Sequence, residues 1–233
     1  MTRAQPDLFQ TDALPSPISD AASNIARHGG IAPSRFDRLP NDNYFTLDAH
    51  WLIPALLSRV PIEGRILEPA AGVGHMVIEL RRHGLDVVAS DLQAHEDPLV
   101  PDIAIRDLRR LNSLRGFKWV ITNLPYRQQD TLGAHLVELG ARDGCSVALL
   151  TRAEWITARA RRGLIHSNQR FAGVVQLTSR PRWSEICLAS PRHNFLWAVW
   201  SADPRPPGAD GWIRFADRTR SRRQAGRQCS PSR

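Results

Sequence analysis

Polar and apolar positions follow two alternating patterns between residues 47 and 201. Short runs that are apolar almost throughout predict buried strands at residues 64–70, 85–92, 118–125, 146–152, 173–179 and 194–201. Apolar positions three and four residues apart predict helices at residues 47–60, 74–84, 130–144 and 153–163, the first interrupted by Pro54. Near-continuous apolar strands that alternate with helices indicate an α/β fold, with a mostly parallel sheet and helices on both faces.

The length of 233 residues suits one α/β domain with tails. Residues 1–40 are rich in Pro, Ser, Asp and Ala without clear periodicity, which predicts a disordered N-terminal tail. The folded domain is expected over residues 41–202. Residues 203–233, where Pro, Gly, Arg and Ser dominate, are expected to form a basic and mostly disordered tail.

The charge of the chain indicates a binding partner, and its cysteine content bears on the cellular compartment. The net charge is +8, and residues 205–233 alone hold eight Arg against two Asp. An arginine-rich segment attracts phosphate, so we expect a nucleic-acid partner; a solubilising tail is the alternative. Three widely spaced cysteines indicate neither a disulfide framework nor a metal site. No apolar run is long enough for a membrane span and no signal-peptide pattern is present, so we expect a cytoplasmic protein.

Residues 66–76, ILEPAAGVGHM, combine a strand, a glycine turn and the start of a helix, which lets a ligand approach the backbone. A nicotinamide cofactor is disfavoured, because its fingerprint needs a third glycine where Val77 stands. Glu68 ends this predicted strand, Asp91 ends the next, and Asp107 ends a further short one. Such acids suit a ligand with a ribose and a cationic group but no phosphate, as in S-adenosylmethionine. Capping a helix or pairing with arginine is their alternative role.

The segments EPAAGVGHM, ASDL and NLPY occur in this order and resemble a known family. They are similar to the glycine motif, ribose acid and Asn/Asp-Pro-Pro-Tyr/Phe motif of the Rossmann-like class I S-adenosylmethionine-dependent methyltransferases that methylate amino groups. The resemblance covers about residues 42–201. It implies that fold, that cofactor, and a cofactor site formed by Glu68, Pro69, Ala70, Gly72, Gly74 and Asp91, with Asp107 in addition.

Residues 42–52, DNYFTLDAHWL, resemble the segment that precedes the glycine motif in one order class of DNA methyltransferases. That resemblance implies that Thr46 contacts the methionine end of the cofactor. Leu47 departs from the pattern, since the family usually has proline there.

Residues 123–126, Asn-Leu-Pro-Tyr, end the strand predicted from residue 118 and predict a clamp for a planar amine. The amide oxygen of Asn123 and the main-chain carbonyl of Leu124 can each accept one N–H of an exocyclic amine, which favours a pyramidal nitrogen with a localised lone pair. Pro125 fixes its own φ and stiffens the turn. Tyr126 can stack on a base that has left its duplex. A strand-end turn in which the asparagine caps and the tyrosine packs is the alternative.

The resemblance leaves several acceptors open. Asn-Leu-Pro-Tyr is typical of ribosomal RNA adenine dimethyltransferases, and Asn-Pro-Pro-Tyr also marks enzymes that methylate a glutamine of release factors. Small phage and bacterial DNA adenine methyltransferases have a strand that ends in Arg-Pro and an aromatic residue, and Arg180, Pro181 and Trp183 resemble this pattern. The ribosomal RNA enzymes would need a helical C-terminal domain, whereas about 30 residues follow the last predicted strand here. We therefore expect adenine N6 of DNA as the acceptor. RNA adenine and protein glutamine are the alternatives, and a non-catalytic nucleic-acid-binding adaptor is the alternative from another class.

Residues Gln5 to Phe9, QPDLF, resemble the short Gln-x-x-Leu-Phe peptides that bind the bacterial replication sliding clamp. Leu8 and Phe9 provide two adjacent apolar anchors. Docking through this segment would raise the local concentration of the protein on newly replicated DNA. The resemblance therefore implies a sliding clamp as a second partner.

Overall fold

An eight-stranded, mostly parallel sheet organises the protein in a computed structural model that describes residues 45–183, 193–206 and 208–218. The strands are β1 (Ile66–Glu68), β2 (Val87–Asp91), β3 (Ala104–Ile105), β4 (Trp119–Thr122), β5 (Ser146–Arg152), β6 (Phe171–Leu177), β7 (Phe195–Trp200) and β8 (Trp212–Ala216). The α-helices of these ranges are α1 (Ala49–Leu57), α2 (His75–Arg82) and α3 (Gln129–Asp143). Short 3-10 helices span Leu108–Arg110, Ala153–Thr157 and Arg159–Arg161.

The strands lie in the order β3-β2-β1-β4-β5-β7-β6-β8. From β1 the chain first adds strands on one side, β2 and β3, and then reverses to the other side, beginning with β4. β7 is antiparallel to both of its neighbours, and the remaining pairs are parallel. In an open α/β sheet, ligands bind at the carboxyl ends of the strands where the order reverses. The topology thus confirms the predicted Rossmann-like fold and places a ligand crevice beyond β1 and β4.

Both faces of the central strands are buried, which explains their near-continuous apolar sequence. On β4, Val120 packs into the core on the α3 face and Ile121 into the core beneath α1 and α2, and neither side chain is exposed. The first core takes Leu132, Leu136 and Val137 from α3, and the second takes Trp51, Leu52, Met76 and Leu80 from α1 and α2.

The first predicted helix forms and continues through its proline. Pro54 lies inside α1, where proline removes a backbone hydrogen bond and weakens the helix. Packing offsets this loss, since Trp51, Leu52 and Ile53 are fully buried. The indole nitrogen of Trp197 on β7 also donates to the Leu52 carbonyl at 3.2 Å. Contacts with the sheet therefore hold this helix more than its own propensity does.

The predicted helix at residues 153–163 is wrong, because this segment forms two 3-10 helices instead. In an α-helix the carbonyl of Trp155 would accept from the N–H four residues on. Here it accepts from the guanidinium of Arg161 at 3.0 Å. Asp130, in the first turn of α3, accepts from the Trp155 indole at 2.6 Å and from Arg161 Nε at 2.6 Å. These side-chain bonds hold the segment against α3 in place of helical backbone bonds.

The predicted end of the domain at residue 202 is too early, because β8 extends the sheet to Ala216. This strand pairs in parallel with β6 from Gly173 to Leu177. It buries little, since Ile213 is 69% exposed and Phe215 is 60% exposed. The sequence of this edge strand contains no long apolar run and no clear alternation of apolar and polar residues. It therefore could not be distinguished from the Pro-, Gly- and Arg-rich residues around it.

Several predictions from sequence concern residues outside the described ranges. These are the disordered segment at residues 1–40, the clamp-binding segment from Gln5 to Phe9, and the tail beyond residue 218. Within the described ranges, no helix is long and apolar enough to cross a membrane.

Gly173 provides a test of the β8 pairing. A Cβ at this position would lie 2.0 Å from the main-chain oxygen of Trp212, and the residue has φ of 151°. We expect Gly173→Ala to lower the free energy of unfolding by about 1–3 kcal/mol, because β8 must shift away from β6. Urea unfolding measures this. The control is Gly163→Ala, where the Cβ meets open space. Equal stability of the two variants would contradict the pairing.

Candidate active site

A cavity of about 430 Å³ opens at the carboxyl edge of the sheet, beside the reversal of strand order. Its walls come from three strand ends: Ala70 and Gly72 follow β1, Asp91 ends β2, and the segment from Asn123 to Gln128 follows β4. Phe45, which precedes α1, closes one side. The volume lies in the range of small-molecule and cofactor sites.

The turn between β1 and α2 can only be made by glycine at two positions. Gly72 and Gly74 have positive φ values of 56° and 101°. A Cβ on Gly72 would lie 2.9 Å from Cδ1 of Phe45, and one on Gly74 would lie 2.6 Å from Cγ2 of Val100. The turn therefore needs both the backbone freedom and the small volume of glycine, and it brings main chain directly against the cavity.

Asp91 joins the end of β2 to this turn. Its Oδ2 accepts the Gly72 N–H at 2.7 Å, and its Oδ1 accepts the Gln93 N–H at 3.2 Å. His95 Nε2 lies 3.5 Å from Oδ1, and the His95 ring stands edge-on to Phe45 with centroids 5.3 Å apart. Gln93, His95 and Phe45 also line the cavity. Sequence reasoning missed these three residues, since none belongs to a strand-end motif.

Glu68 lies beneath the turn. The side chain is 2% exposed, and its Oε2 has no hydrogen-bond partner among the described residues. Burial raises the pKa of this carboxyl well above its usual range, and the nearby charge of Asp91 raises it further. Glu68 is therefore a buried carboxyl with a raised pKa, two residues before Ala70 of the cavity wall.

Asn123 is oriented by a residue distant in sequence. Its Nδ2 donates to the hydroxyl of Thr46 at 3.1 Å. Its Oδ1 is buried and has no hydrogen-bond partner among the described residues. Unpaired buried acceptors are uncommon in folded proteins and call for an explanation such as an absent ligand. This unpaired oxygen is the atom to which the clamp prediction assigns an N–H of the acceptor amine, and that role stays a prediction.

An aromatic cluster lies beside the asparagine. The ring centroids of Tyr126 and Trp183 are 6.2 Å apart, those of Tyr126 and Phe195 are 6.3 Å apart, and those of Trp183 and Phe195 are 4.9 Å apart. The guanidinium of Arg152, at the end of β5, lies 4.9 Å from the Tyr126 centroid. Tyr126 lines the cavity, whereas Phe195 is 2% exposed and packs in the core. Arg152 is a fourth residue that the sequence motifs did not indicate.

The segment carrying Trp183 is tied to the start of α1. Asp48 is fully buried and accepts the Arg182 main-chain N–H at 3.0 Å and its guanidinium at 2.9 Å. Burial by itself raises the pKa of Asp48, but the bonds from Arg182 outweigh burial and hold the pKa below its usual range. The residues from Phe45 to Asp48 thus form a strap, contacting Gly72, Asn123 and Arg182 in turn.

The predicted site residues divide into three groups. Ala70, Gly72, Asp91, Asn123, Leu124, Pro125 and Tyr126 line the cavity, and Glu68, Pro69, Gly74 and Thr46 are buried around it. Asp107 lies apart from the cavity walls: it accepts the Arg109 N–H at 2.9 Å and pairs with the Arg109 guanidinium at 2.7 Å. No cluster of His, Cys, Asp and Glu among the described residues could hold a metal ion.

The cavity fits S-adenosylmethionine by its donor set. Main-chain N–H groups and the glycine turn allow a close approach, and the Asp91 carboxylate can accept ribose hydroxyls. No Lys or Arg occurs in the first three residues of α2, His75 to Val77. Asp91 can supply negative charge to a cationic ligand in the cavity.

No protein-family model matches the sequence, and no curated protein matches it significantly. Among solved structures, the chain is similar to a Listeria monocytogenes protein that bears the name of a class I S-adenosylmethionine-dependent methyltransferase, with 16% identity, TM-score 0.46 and coverage of 77% of this chain and 67% of that one. It is also similar to a Pyrococcus abyssi tRNA (uracil-54, C5)-methyltransferase in complex with S-adenosyl-L-homocysteine, with 22% identity, TM-score 0.48 and coverage of 68% and 40%.

A third similar structure is a Vibrio vulnificus protein named as a modification subunit of a type I restriction enzyme, with 14% identity, TM-score 0.43 and coverage of 73% and 49%. The chain thus spans less than half the length of two of these three proteins. At such identities the similarity concerns the fold alone, and the function has to be argued from the residues of the site.

Asp91 provides a direct test of the cofactor site. We expect Asp91→Ala to weaken binding of S-adenosylmethionine about 10- to 100-fold, because ribose hydroxyls lose a charged acceptor and the Gly72 N–H loses its partner. Isothermal titration calorimetry measures the Kd. Asp97→Ala is the matched control, since Asp97 is exposed on the same loop and does not line the cavity. Unchanged affinity in Asp91→Ala would remove Asp91 from the site.

Glu68 is expected to destabilise the fold as the pH rises. Its folded-state pKa lies above the unfolded value, so folding retains a proton that the unfolded chain releases, and stability falls as pH rises from the unfolded towards the folded pKa. Glu68→Gln removes this dependence. We expect the variant to be more stable than the wild type at pH 8, with a smaller difference at pH 5, in urea unfolding. A difference that does not change with pH would contradict the raised pKa.

Proposed function

We propose that this chain is an S-adenosylmethionine-dependent methyltransferase that methylates an exocyclic amine, with adenine N6 of DNA as the acceptor. One observation carries the proposal: Asn123 lines the same cavity as Asp91, and its buried amide oxygen has no hydrogen-bond partner among the described residues. An acceptor held without a partner beside a cofactor-sized cavity suits a ligand that brings an N–H donor.

The residues after β4 supply what amine methylation requires. An exocyclic amine on adenine is a weak nucleophile, because its lone pair is delocalised into the ring. Asn123 Oδ1 and the Leu124 carbonyl can accept its two N–H groups and favour a pyramidal nitrogen. Pro125 stiffens the turn that carries both acceptors. The site therefore activates the amine by position, without a strong base, and the surplus proton leaves to solvent after the transfer.

The cofactor half of the cavity would hold S-adenosylmethionine and so fix the position of its methyl group. Gly72, Gly74 and Asp91 would hold the adenosine part, and Glu68 is buried directly before the turn. When bound, S-adenosylmethionine supplies an electrophilic methyl group on a sulfonium. The chain's task is to hold the acceptor nitrogen in line with that group and to keep water away from it.

Three features favour a nucleic-acid acceptor. Tyr126 lines the cavity and offers an aromatic ring on which a flipped base can stack. Exposed Arg127 lines the cavity next to it. The chain carries a net charge of +8, which favours binding to phosphates. Resemblance of the Arg180–Trp183 segment to small DNA adenine methyltransferases favours DNA over RNA.

The test offers three acceptors in parallel. The purified protein is incubated with S-adenosylmethionine labelled in the methyl group and with unmethylated DNA, ribosomal RNA or release factor. We expect label on DNA, recovered after digestion as N6-methyladenine. Asn123→Ala should lower the rate about 100-fold or more, because one acceptor for the amine is lost.

The matched control is Asn112→Ala, an exposed asparagine that does not line the cavity, and it should retain the wild-type rate. Label on RNA or protein would keep the chemistry and overturn the acceptor. No label on any acceptor, with the cofactor bound, would overturn the proposed acceptors, and absence of cofactor binding would favour a non-catalytic adaptor.

A further inference from the structure

We propose that Thr46 is a positioning residue for the acceptor, holding the Asn123 side chain in place through the hydrogen bond between its hydroxyl and the Asn123 amide. This inference rests on the proposed function and departs from the role that the sequence resemblance implies for Thr46, which is contact with the cofactor. It is carried by one hydrogen bond and one unpaired atom in the structure.

The geometry separates Thr46 from the cofactor half of the cavity. Thr46 is 8% exposed and is not among the residues that line the cavity, whereas its neighbour Phe45 is. Its hydroxyl lies 3.1 Å from Asn123 Nδ2, across 77 positions of sequence. Thr46 therefore acts on the wall that receives the acceptor, through Asn123, without facing the cavity itself.

The orientation of an asparagine amide matters because its two ends have opposite hydrogen-bonding character. The NH2 end is a donor and the oxygen is an acceptor. If the amide turned over, a donor would face the N–H groups of the acceptor amine, and no bond could form. In the observed orientation the NH2 end donates to the Thr46 hydroxyl, and the oxygen is the end of the amide that has no partner among the described residues.

The strap keeps this hydroxyl in place from both sides. Phe45 packs on Gly72, so the strap cannot move away from the glycine turn without opening a gap. Asp48 is held by the Arg182 main chain and guanidinium. The Leu47 N–H donates to the Phe45 carbonyl at 2.9 Å and the Ala49 N–H to the Thr46 carbonyl at 3.0 Å, which fixes the local turn. A rigid support is what a positioning residue needs.

Two substitutions separate this role from a cofactor contact. Thr46→Val keeps the shape and removes the hydroxyl, and Thr46→Ser keeps the hydroxyl. We expect Thr46→Val to lower kcat for methyl transfer about 10- to 100-fold while the Kd for S-adenosylmethionine stays within about twofold of wild type. Thr46→Ser should recover most of the activity. Weaker cofactor binding in Thr46→Val, with kcat unchanged at saturation, would overturn the inference in favour of a cofactor contact.

Thr122 provides the matched control. It is a fully buried threonine next to Asn123, and its hydroxyl has no hydrogen-bond partner among the described residues. Thr122→Val makes the same chemical change in the same part of the core, so kcat should stay at the wild-type value. An equal loss in Thr122→Val and Thr46→Val would show that packing, and not orientation of the amide, is responsible.

NMR spectroscopy of the Asn123 side chain tests the role of Thr46 without relying on activity. The side-chain amide of Asn123 gives a pair of signals in a proton–nitrogen NMR spectrum of the full chain, identified by their absence from Asn123→Ala. We expect Thr46→Val to shift these signals and speed their exchange with solvent, and Thr46→Ser to restore them. Signals unchanged in Thr46→Val would overturn the inference. A wild-type protein that methylates nothing would instead overturn the proposed function.

Discussion

The hydrogen bond from the Gly72 N–H to Asp91 joins two strand ends that would otherwise carry separate loops, and the rest of the site depends on it. The carboxylate holds the turn after β1 together with the Ala71 N–H, which donates to the Ser90 carbonyl at 3.0 Å. Phe45 packs on the glycine that the bond fixes, and Thr46, one residue on, reaches Asn123 after β4. The order of the three strands in the sheet is what brings these groups within reach of one another.

The site retains polar groups that a core built for stability alone would not keep. Glu68 is a buried acid with an unpaired oxygen, and Asn123 has a buried, unpaired amide oxygen. Each unpaired buried group costs about 1–3 kcal/mol, a large fraction of the stability of a domain. Both occur within a few residues of one cavity, next to backbone with positive φ at Gly72 and Gly74. Unpaired buried groups call for an explanation such as a ligand, and their position around one cavity is typical of a functional site.

The sequence predicted the parts of the fold that depend on local patterns. Strands β1, β2 and β4 to β7 appear where apolar runs predict them, and α3 stops where Gly144 adopts a positive φ. The motif residues from Ala70 to Asp91 and from Asn123 to Tyr126 meet at one cavity, because consecutive parallel strands end at the same edge.

What the sequence could not predict depends on contacts between distant segments. The helix expected after β5 gives way to 3-10 turns because Asp130 binds Trp155 and Arg161 across 25 and 31 positions. Local propensity contains no information about such a bond. β8 was missed because its pairing with β6 replaces the burial that normally marks a strand. The partnership of Thr46 with Asn123 joins segments 77 positions apart, so no motif could indicate it.

The two sides of the cavity differ in how far apart in sequence their residues lie, which bears on specificity for the acceptor. The cofactor side is built from two adjacent strand–turn units and is readable as a motif. The proposed acceptor side is assembled from the strap, the segment after β4 and the Trp183 segment, which Asp48, Arg182 and the aromatic cluster hold together. Substitutions in any one of these three segments can change the acceptor wall while the glycine turn and Asp91 stay as they are. Related chains with the same cofactor motif are therefore free to differ in acceptor, and the strap is where such differences should first be sought.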